Sequence, residues 1–125
     1  MSGATIRSQD FDEKRFAGLL ELAGPDTALE LVERLEDDLR AVEAALSVVA
    51  RTADMPTLQA QSHVLLGVAG TIGANRLFEL AKGLNDVAHV AGSPFPGAML
   101  VKTEVALARV IARIHAARTQ LTRAP

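Results

Sequence analysis

The residues best suited to covalent chemistry near neutral pH are three histidines. They are His63, His89 and His115, and the chain contains no Cys. The lack of Cys excludes thiolate nucleophiles, disulfides, iron–sulfur clusters and zinc sites built on thiolates. The sequence also has no Gly-rich phosphate loop, no His-Glu-x-x-His motif and no nucleophile elbow. Most motifs of enzyme active sites are therefore absent, and the histidines are the residues whose surroundings need to be examined.

A metal site would need these histidines to converge with carboxylates, because they lie on three different predicted helices. The predicted apolar stripes of those helices offer no inward carboxylate that could complete such a site. We therefore predict that the chain binds no metal and has no cofactor of its own.

His63 lies on a predicted helix whose apolar stripe predicts which side faces water. The stripe repeats at helical spacing through Leu58, Ser62, Leu65, Ala69 and Ile72. At about 100° per residue, His63 falls about 140° from the centre of this stripe, so its ring should be exposed. Gln59, Gly67 and Gly70 lie on the same side.

The two glycines on that exposed face need an explanation, since each costs on the order of 1 kcal/mol relative to Ala in a helix interior. A neighbouring helix could pack closely there, or the surface could simply tolerate them. The functional interpretation is clearance. A glycine one turn beyond an exposed imidazole lets a second macromolecule approach the ring without meeting a side chain.

The same segment resembles the signature of histidine-containing phosphotransfer (HPt) domains. It reads His63-Val64-Leu65-Leu66-Gly67-Val68-Ala69-Gly70-Thr71-Ile72-Gly73-Ala74-Asn75-Arg76-Leu77. Besides the histidine, six positions match the family pattern at the right offsets, namely Leu65, Gly67, Ala69, Gly73, Ala74 and Leu77. The helical layout that this family implies fits residues 10–122.

The resemblance implies that His63 is the phosphorylated residue and that Gly67 is the glycine that gives access to it. Such a protein is a phosphocarrier of a two-component phosphorelay, without independent catalytic machinery. It exchanges a phosphoryl group with the aspartate of a response-regulator receiver domain, with a hybrid histidine kinase, or with both. The receiver would bring the acidic cluster and the Mg²⁺ that organise the transfer.

Two positions depart from the family pattern. Leu66 stands where the family has a lysine, and Val68 stands where it has a small residue. A lysine there would place a cation beside the phosphoryl charge, which Leu66 cannot do. On the next predicted helix, Lys82 is the available cation, and Asn85 is the polar residue that we align with the family's imidazole orienter.

The expected docking surface surrounds His63 on the exposed face of its helix. It comprises Gln59, Leu66, Gly67 and Gly70, with Val64, Phe11 and Phe16 as candidates for its rim.

Composition places the chain among helical proteins, because Ala and Leu are its most frequent residues. The charge balance of 13 basic and 15 acidic residues, net −2, argues against a nucleic-acid binder. No apolar run is long enough to span a membrane, and the N-terminus has no apolar leader core. We therefore expect a cytoplasmic protein that acts without nucleic acid or membrane.

Four long amphipathic segments must position the candidate site, and no segment alternates with period two. The second predicted helix begins at Pro25, the third begins near Pro56 and ends at Gly73, the fourth spans residues 74–91, and the last follows a loop at residues 92–97. We predict an all-α, antiparallel up-and-down four-helix bundle with a short additional N-terminal helix. Residues 1–9 are expected to form a flexible arm, and residues 10–122 a single domain.

The predicted helices also assign side chains to the interior and to the surface. On the second helix, the stripe Leu31, Leu35, Leu39, Val42, Leu46 and Val49 should be buried, and the charged face that includes Glu36 should be solvated. On the fourth, Leu77, Leu80, Leu84 and Val87 should point inward.

Two other functions compete with phosphotransfer. Leu66 and Val68 suit a degenerate HPt-like module that binds a receiver or kinase without accepting phosphate. Alternatively, the motif is coincidental and the heptad of the last helix, from Leu100 to Leu121, is an interface of a plain helical dimer. Of the oligomeric states, we favour a monomer.

Overall fold

The computed structural model describes residues 6–123, and within them the chain forms five α-helices and no strand. These are α1 (Glu13–Ala23), α2 (Pro25–Thr52), α3 (Met55–Ile72), α4 (Asn75–Ala88) and α5 (Gly97–Arg123). The all-helical prediction is confirmed. The fourth helix ends at Ala88, three residues earlier than predicted.

Short capped turns join the first four helices. Asp12 and Asp54 cap α1 and α3, where their side chains accept hydrogen bonds from the backbone N–H groups of the third helical residue. Gly24 (φ 82°) separates α1 from α2, and Gly73 (φ 79°) ends α3. Glycine suits both positions because residues with a Cβ rarely adopt these positive φ angles.

The helices pack into a bundle around one apolar core. α2 contacts α3 and α5, α4 contacts the same two helices, and α1 lies against α2 and α3. The buried residues of α3 are the five predicted from its periodicity. The heptad residues of α5 from Leu100 to Ala117 are buried against the other helices of this chain, and Leu121 is half-buried.

The buried face of α4 differs from the predicted one. Leu77 and Leu84 are buried as expected, but Ala81 and Ala88 accompany them. Leu80 and Val87 are only half-buried. The physical reason is that α4 packs most extensively on α3, and small side chains allow two helices to approach closely, whereas a hydropathy pattern favours the larger residues.

The prediction that Glu36 lies on a solvated face of α2 is wrong. Its side chain is 4% exposed, and it lies 2.8 Å from Arg40, 3.0 Å from His115 and 3.4 Å from Arg118. Burial raises the pKa of this carboxyl, but the hydrogen bonds and positive charges of Arg40 and His115 outweigh it, and the pKa lies below its ordinary value. The interior therefore does contain a carboxylate, paired with Arg40 of α2 and with His115 and Arg118 of α5.

Phe11 and Phe16 are core residues and not part of an exposed rim. Each is 1% exposed, and their rings meet edge to face with centroids 5.6 Å apart. The guanidinium of Arg113 lies over both rings, 5.8 and 5.1 Å from their centroids. It also forms a bidentate ion pair with the carboxylate of Glu13. These contacts attach α1 to α5.

Residues 6–12, which precede α1, lie against the bundle. Residues 1–5 of the expected flexible arm fall outside the described residues. Ile6 packs against the core, and the carbonyl of Arg7 accepts hydrogen bonds from the backbone N–H groups of Asp10 and Phe11.

None of the helices in the described chain is both long enough and apolar enough to cross a membrane.

Candidate functional site

The three histidines differ in how their rings are engaged. Nδ1 of His89 lies 2.7 Å from the carbonyl oxygen of Asn85, and Nδ1 of His115 lies 3.0 Å from Glu36. His63 is exposed on α3, and its ring forms no hydrogen bond within the part of the chain that the structure describes. His63 therefore has both ring nitrogens available to a second molecule, as its angular position on α3 predicted.

A shallow groove of about 610 Å³ contains His63. Its lining is formed by Arg15, His63, Leu66, Gly67, Gly70, Thr71, Asn75 and Phe78. α3 supplies the floor, the first residues of α4 supply one wall, and α1 supplies Arg15.

The two glycines of the groove are not equivalent. A Cβ built on Gly67 meets no heavy atom within 4 Å, so this position is open to solvent and to any docked partner. A Cβ on Gly70 would lie 3.3 Å from the ring of Phe78. Gly70 therefore allows close packing of Phe78 on α3, whereas Gly67 has no packing reason within the described chain and fits the clearance interpretation.

A second concavity, of about 210 Å³, lies between α4 and α5. Its walls combine apolar side chains such as Leu80 and Val105 with the cations Arg76, Lys102 and Arg109. No histidine lines it. It thus holds none of the candidate nucleophiles identified from the sequence.

Arg15 is a groove residue that the sequence analysis missed. Its Nε donates to the carbonyl oxygen of Thr71 at 3.4 Å, near the end of α3. The backbone around it is also tied to the turn between α3 and α4, since Asp12 N donates to Gly73 O at 2.8 Å and Arg76 N donates to Asp10 O at 3.1 Å. No local pattern reveals this arrangement, because it arises from contacts between residues more than 50 positions apart.

Lys82, the cation expected from α4, is not among the residues of this groove. Its Nζ lies 3.1 Å from a carboxylate oxygen of Asp86 one turn along the same helix, and both side chains are 61% exposed. The i,i+4 spacing of Lys82 and Asp86 allows this pairing within one helix. The charge of Lys82 is therefore paired outside the groove.

Asn85 forms a hydrogen bond with the residue before His63 and none with His63 itself. Its Oδ1 accepts a hydrogen bond from the Ser62 hydroxyl at 3.3 Å, and Ser62 is the residue that precedes His63. The structure thus brings Asn85 to the α3–α4 interface next to the site. Orientation of the imidazole by Asn85 stays a prediction.

The other expected docking residues separate into two groups. Leu66, Gly67 and Gly70 line the groove with His63. Gln59 does not: it is half-buried, and its Nε2 donates to the carbonyl oxygen of Ala88 at 2.7 Å, where it satisfies the C-terminal end of α4. Leu66 is half-buried and packs against the core.

No cluster of metal ligands accompanies the groove. Across residues 6–123, no group of three or more His, Asp or Glu side chains is positioned to hold a metal ion.

Comparison with known proteins gives one match. The family model described as Hpt domain matches residues 26–120, which include His63 and the whole motif that follows it. Neither the curated proteins nor the solved structures gave a significant match to the chain.

Proposed function

The chain belongs to the Hpt domain family, and on that premise we propose that it is a histidine phosphotransfer protein phosphorylated on His63. Hpt domains act in phosphorelays, where they interact with receiver domains and histidine kinases. The chain would accept a phosphoryl group on His63 and pass it to a receiver aspartate. We further propose that it works in the cytoplasm and that α2–α5 form an antiparallel four-helix arrangement, with α1 packed on its side.

One observation carries this proposal. All three histidines are exposed, but His63 is the one whose ring has no hydrogen bond in the described chain, and the position of Gly67 one turn further along α3 is open. A phosphorylatable imidazole needs an accessible nitrogen lone pair and space for a partner to reach it. His63 provides both, within the family motif.

The chemistry requires little from the chain itself. The lone pair of one imidazole nitrogen attacks the phosphorus of an aspartyl phosphate. The P–N bond forms while the P–O bond to the aspartate breaks, and the electron pair leaves with the regenerated carboxylate. Donation to a second receiver reverses these bond changes. In our proposal the receiver supplies Mg²⁺ and the acidic cluster, and α3 supplies a nucleophile held at a fixed position.

Docking would place the receiver against Leu66, Gly67 and Gly70. Leu66 presents apolar surface to the groove while part of its side chain packs on the core. Asn85 is held by Ser62 one residue before the nucleophile, and this position supports its proposed role as a residue that orients the ring.

The test is phosphotransfer from a panel of receiver domains phosphorylated on aspartate. We expect acid-labile, alkali-stable label on the wild-type chain and none on the His63→Gln variant. His89→Gln is the matched control, because it removes another exposed histidine from the neighbouring helix. Failure of every receiver to label the wild-type chain, or equal labelling of His63→Gln, would contradict the proposal.

A degenerate module is the second candidate function, and Leu66 favours it. This residue occupies the position of the family lysine, and no residue with a positive charge lines the groove next to it on α3. A binding-only module would retain affinity for a receiver in the His63→Ala variant, and neither that variant nor the wild-type chain would accept label. Labelling of the wild-type chain rejects this alternative.

A further inference from the structure

The groove around His63 contains a cation, but this cation comes from a different element than the family pattern suggests. Arg15 of α1 is the charged residue among the groove's lining. Leu66 is apolar, and Lys82 pairs with Asp86 outside the groove. Arg15 itself forms no ion pair with any carboxylate of the described chain; its side chain donates to a backbone carbonyl.

The position of Arg15 is well defined by its surroundings. Its Nε is held by Thr71 O, and its Cβ and Cδ lie 3.2 and 3.1 Å from where a Cβ on Gly73 would be. The arginine stem therefore packs directly on the turn that ends α3. The backbone of Asp12, just before α1, is hydrogen-bonded to that same turn. Contacts with the turn at the end of α3 therefore fix the position of Arg15 in the groove.

The distance from His63 limits what Arg15 can do. Thr71, which accepts the hydrogen bond from Arg15, lies eight residues after His63, a rise of about 12 Å along α3. This separation exceeds the screening length of about 8 Å at physiological ionic strength. An arginine anchored at that end of the groove is displaced along α3 from a phosphoryl group bound to His63. It can, however, contact a partner that covers the groove.

We infer that Arg15 is a docking residue that binds a carboxylate on the receiver surface about two helical turns from the phosphoryl site. This inference rests on the proposed function and adds a specificity determinant to it. Receivers with an acidic side chain at that place would be preferred over receivers with a neutral or basic one. Besides Arg15 and His63, the groove is lined by Leu66, Gly67, Gly70, Thr71, Asn75 and Phe78. The two glycines leave room on the α3 face for the partner to contact both ends at once.

The experiment measures phosphotransfer from the receiver that labels the wild-type chain fastest, with kcat and KM determined separately. We expect Arg15→Ala to raise KM about threefold to fivefold at low salt, as for exposed charge pairs, and to leave kcat unchanged. Arg15→Glu should raise KM about tenfold, because it places like charges opposite each other. Both effects should shrink to less than about twofold at 0.5 M salt, where screening is strong.

Lys14→Ala is the matched control. Lys14 precedes Arg15 on α1, is exposed and does not line the groove, so its loss changes the net charge by the same amount. Its KM should stay within about twofold of the wild-type value, since only general electrostatic attraction is reduced. The capping bond to Asp12 uses the Arg15 backbone N–H and is kept in every variant. Arg15→Ala also loses the Nε bond to Thr71 O and the packing of the stem on the turn at Gly73, so its Tm should fall by about 2–5 °C, whereas that of Lys14→Ala should be unchanged.

Equal KM values for Arg15→Ala and Lys14→Ala would overturn the inference. A fall in kcat with constant KM would also overturn it, since this result would assign Arg15 to the transferring phosphoryl group. Failure of the proposed function gives a different result, in which no receiver labels even the wild-type chain. In that case the dissociation constants of receiver complexes with the same variants test Arg15 directly, and equal constants for Arg15→Ala and Lys14→Ala reject it.

Discussion

Replacement of Gly67 by Ala should make the free protein more stable and a worse phosphocarrier. Gly67 lies in the interior of α3 with an ordinary helical backbone, and a Cβ there meets no atom within 4 Å. The substitution therefore introduces no clash within the chain. It does place a methyl group on the floor of the groove, one turn from His63.

The two effects have different sources and can be calculated separately. Ala is favoured over Gly in a helix interior by about 0.5–1 kcal/mol, and with no clash this whole amount should appear in the free energy of unfolding. For a chain of this size it corresponds to an increase of about 2–5 °C in Tm. At a closely packed interface an extra methyl group costs about 1–3 kcal/mol, which lowers kcat/KM for phosphotransfer by a factor of about 5 to 150.

The assays are thermal unfolding of the free chain and phosphotransfer from a receiver. Gly18→Ala is the matched control, because Gly18 is also in a helix interior, also has no atom within 4 Å of an added Cβ, and lies outside the groove. It should give the same rise in Tm with unchanged transfer. Unchanged transfer in Gly67→Ala would refute the clearance argument, and a lower Tm would refute the geometry on which it depends.

Three further substitutions test other contacts of the structure. Gly73→Ala should lower the free energy of unfolding in urea by about 1–3 kcal/mol, since φ is 79° and the new Cβ would lie 3.0 Å from Asp12 and 3.1 Å from Arg15. A free energy of unfolding no lower than that of the wild-type chain would contradict this. Glu36 has a lowered pKa in the folded chain, so its contribution to stability is present above its unfolded pKa and is lost as the pH falls through the folded value. Urea unfolding between about pH 7 and pH 3 should therefore show a shallower loss of stability in Glu36→Gln than in the wild-type chain, and parallel curves would rule out this role. Leu66→Lys should place the cation of the family pattern beside the phosphoryl group and raise kcat for transfer about threefold or more. A raised KM with constant kcat would show instead that Leu66 serves as an apolar docking contact.

Much of the architecture could be predicted because helical periodicity is a local property. Each residue of α3 is displaced by about 100° from the one before, so the buried stripe also determined that the His63 ring would be exposed. Turn chemistry is equally local. Pro25 begins α2 and Gly73 ends α3, as expected from the fixed φ of proline and the freedom of glycine at positive φ.

The errors share one physical origin, which is contact between helices. Glu36 is on the charged side of α2 when that helix is considered alone, but α5 packs there and surrounds the carboxylate with His115 and Arg118. On α4, the close approach to α3 turns Ala81 inward and leaves Leu80 half-buried. Hydropathy along one helix contains no information about which neighbour covers it.

The sequence by itself determined the nucleophile of the candidate site, its exposure and the glycine beside it, because all three lie within two turns of one helix. The tertiary structure alone decided which cation lines the groove that contains His63. Arg15 reaches the groove because α1 is hydrogen-bonded to the turn at Gly73, and Lys82 stays outside it, paired with Asp86. The Lys82–Asp86 pair is set by spacing along one helix, whereas the position of Arg15 depends on contacts between α1 and the end of α3 that only folding brings together.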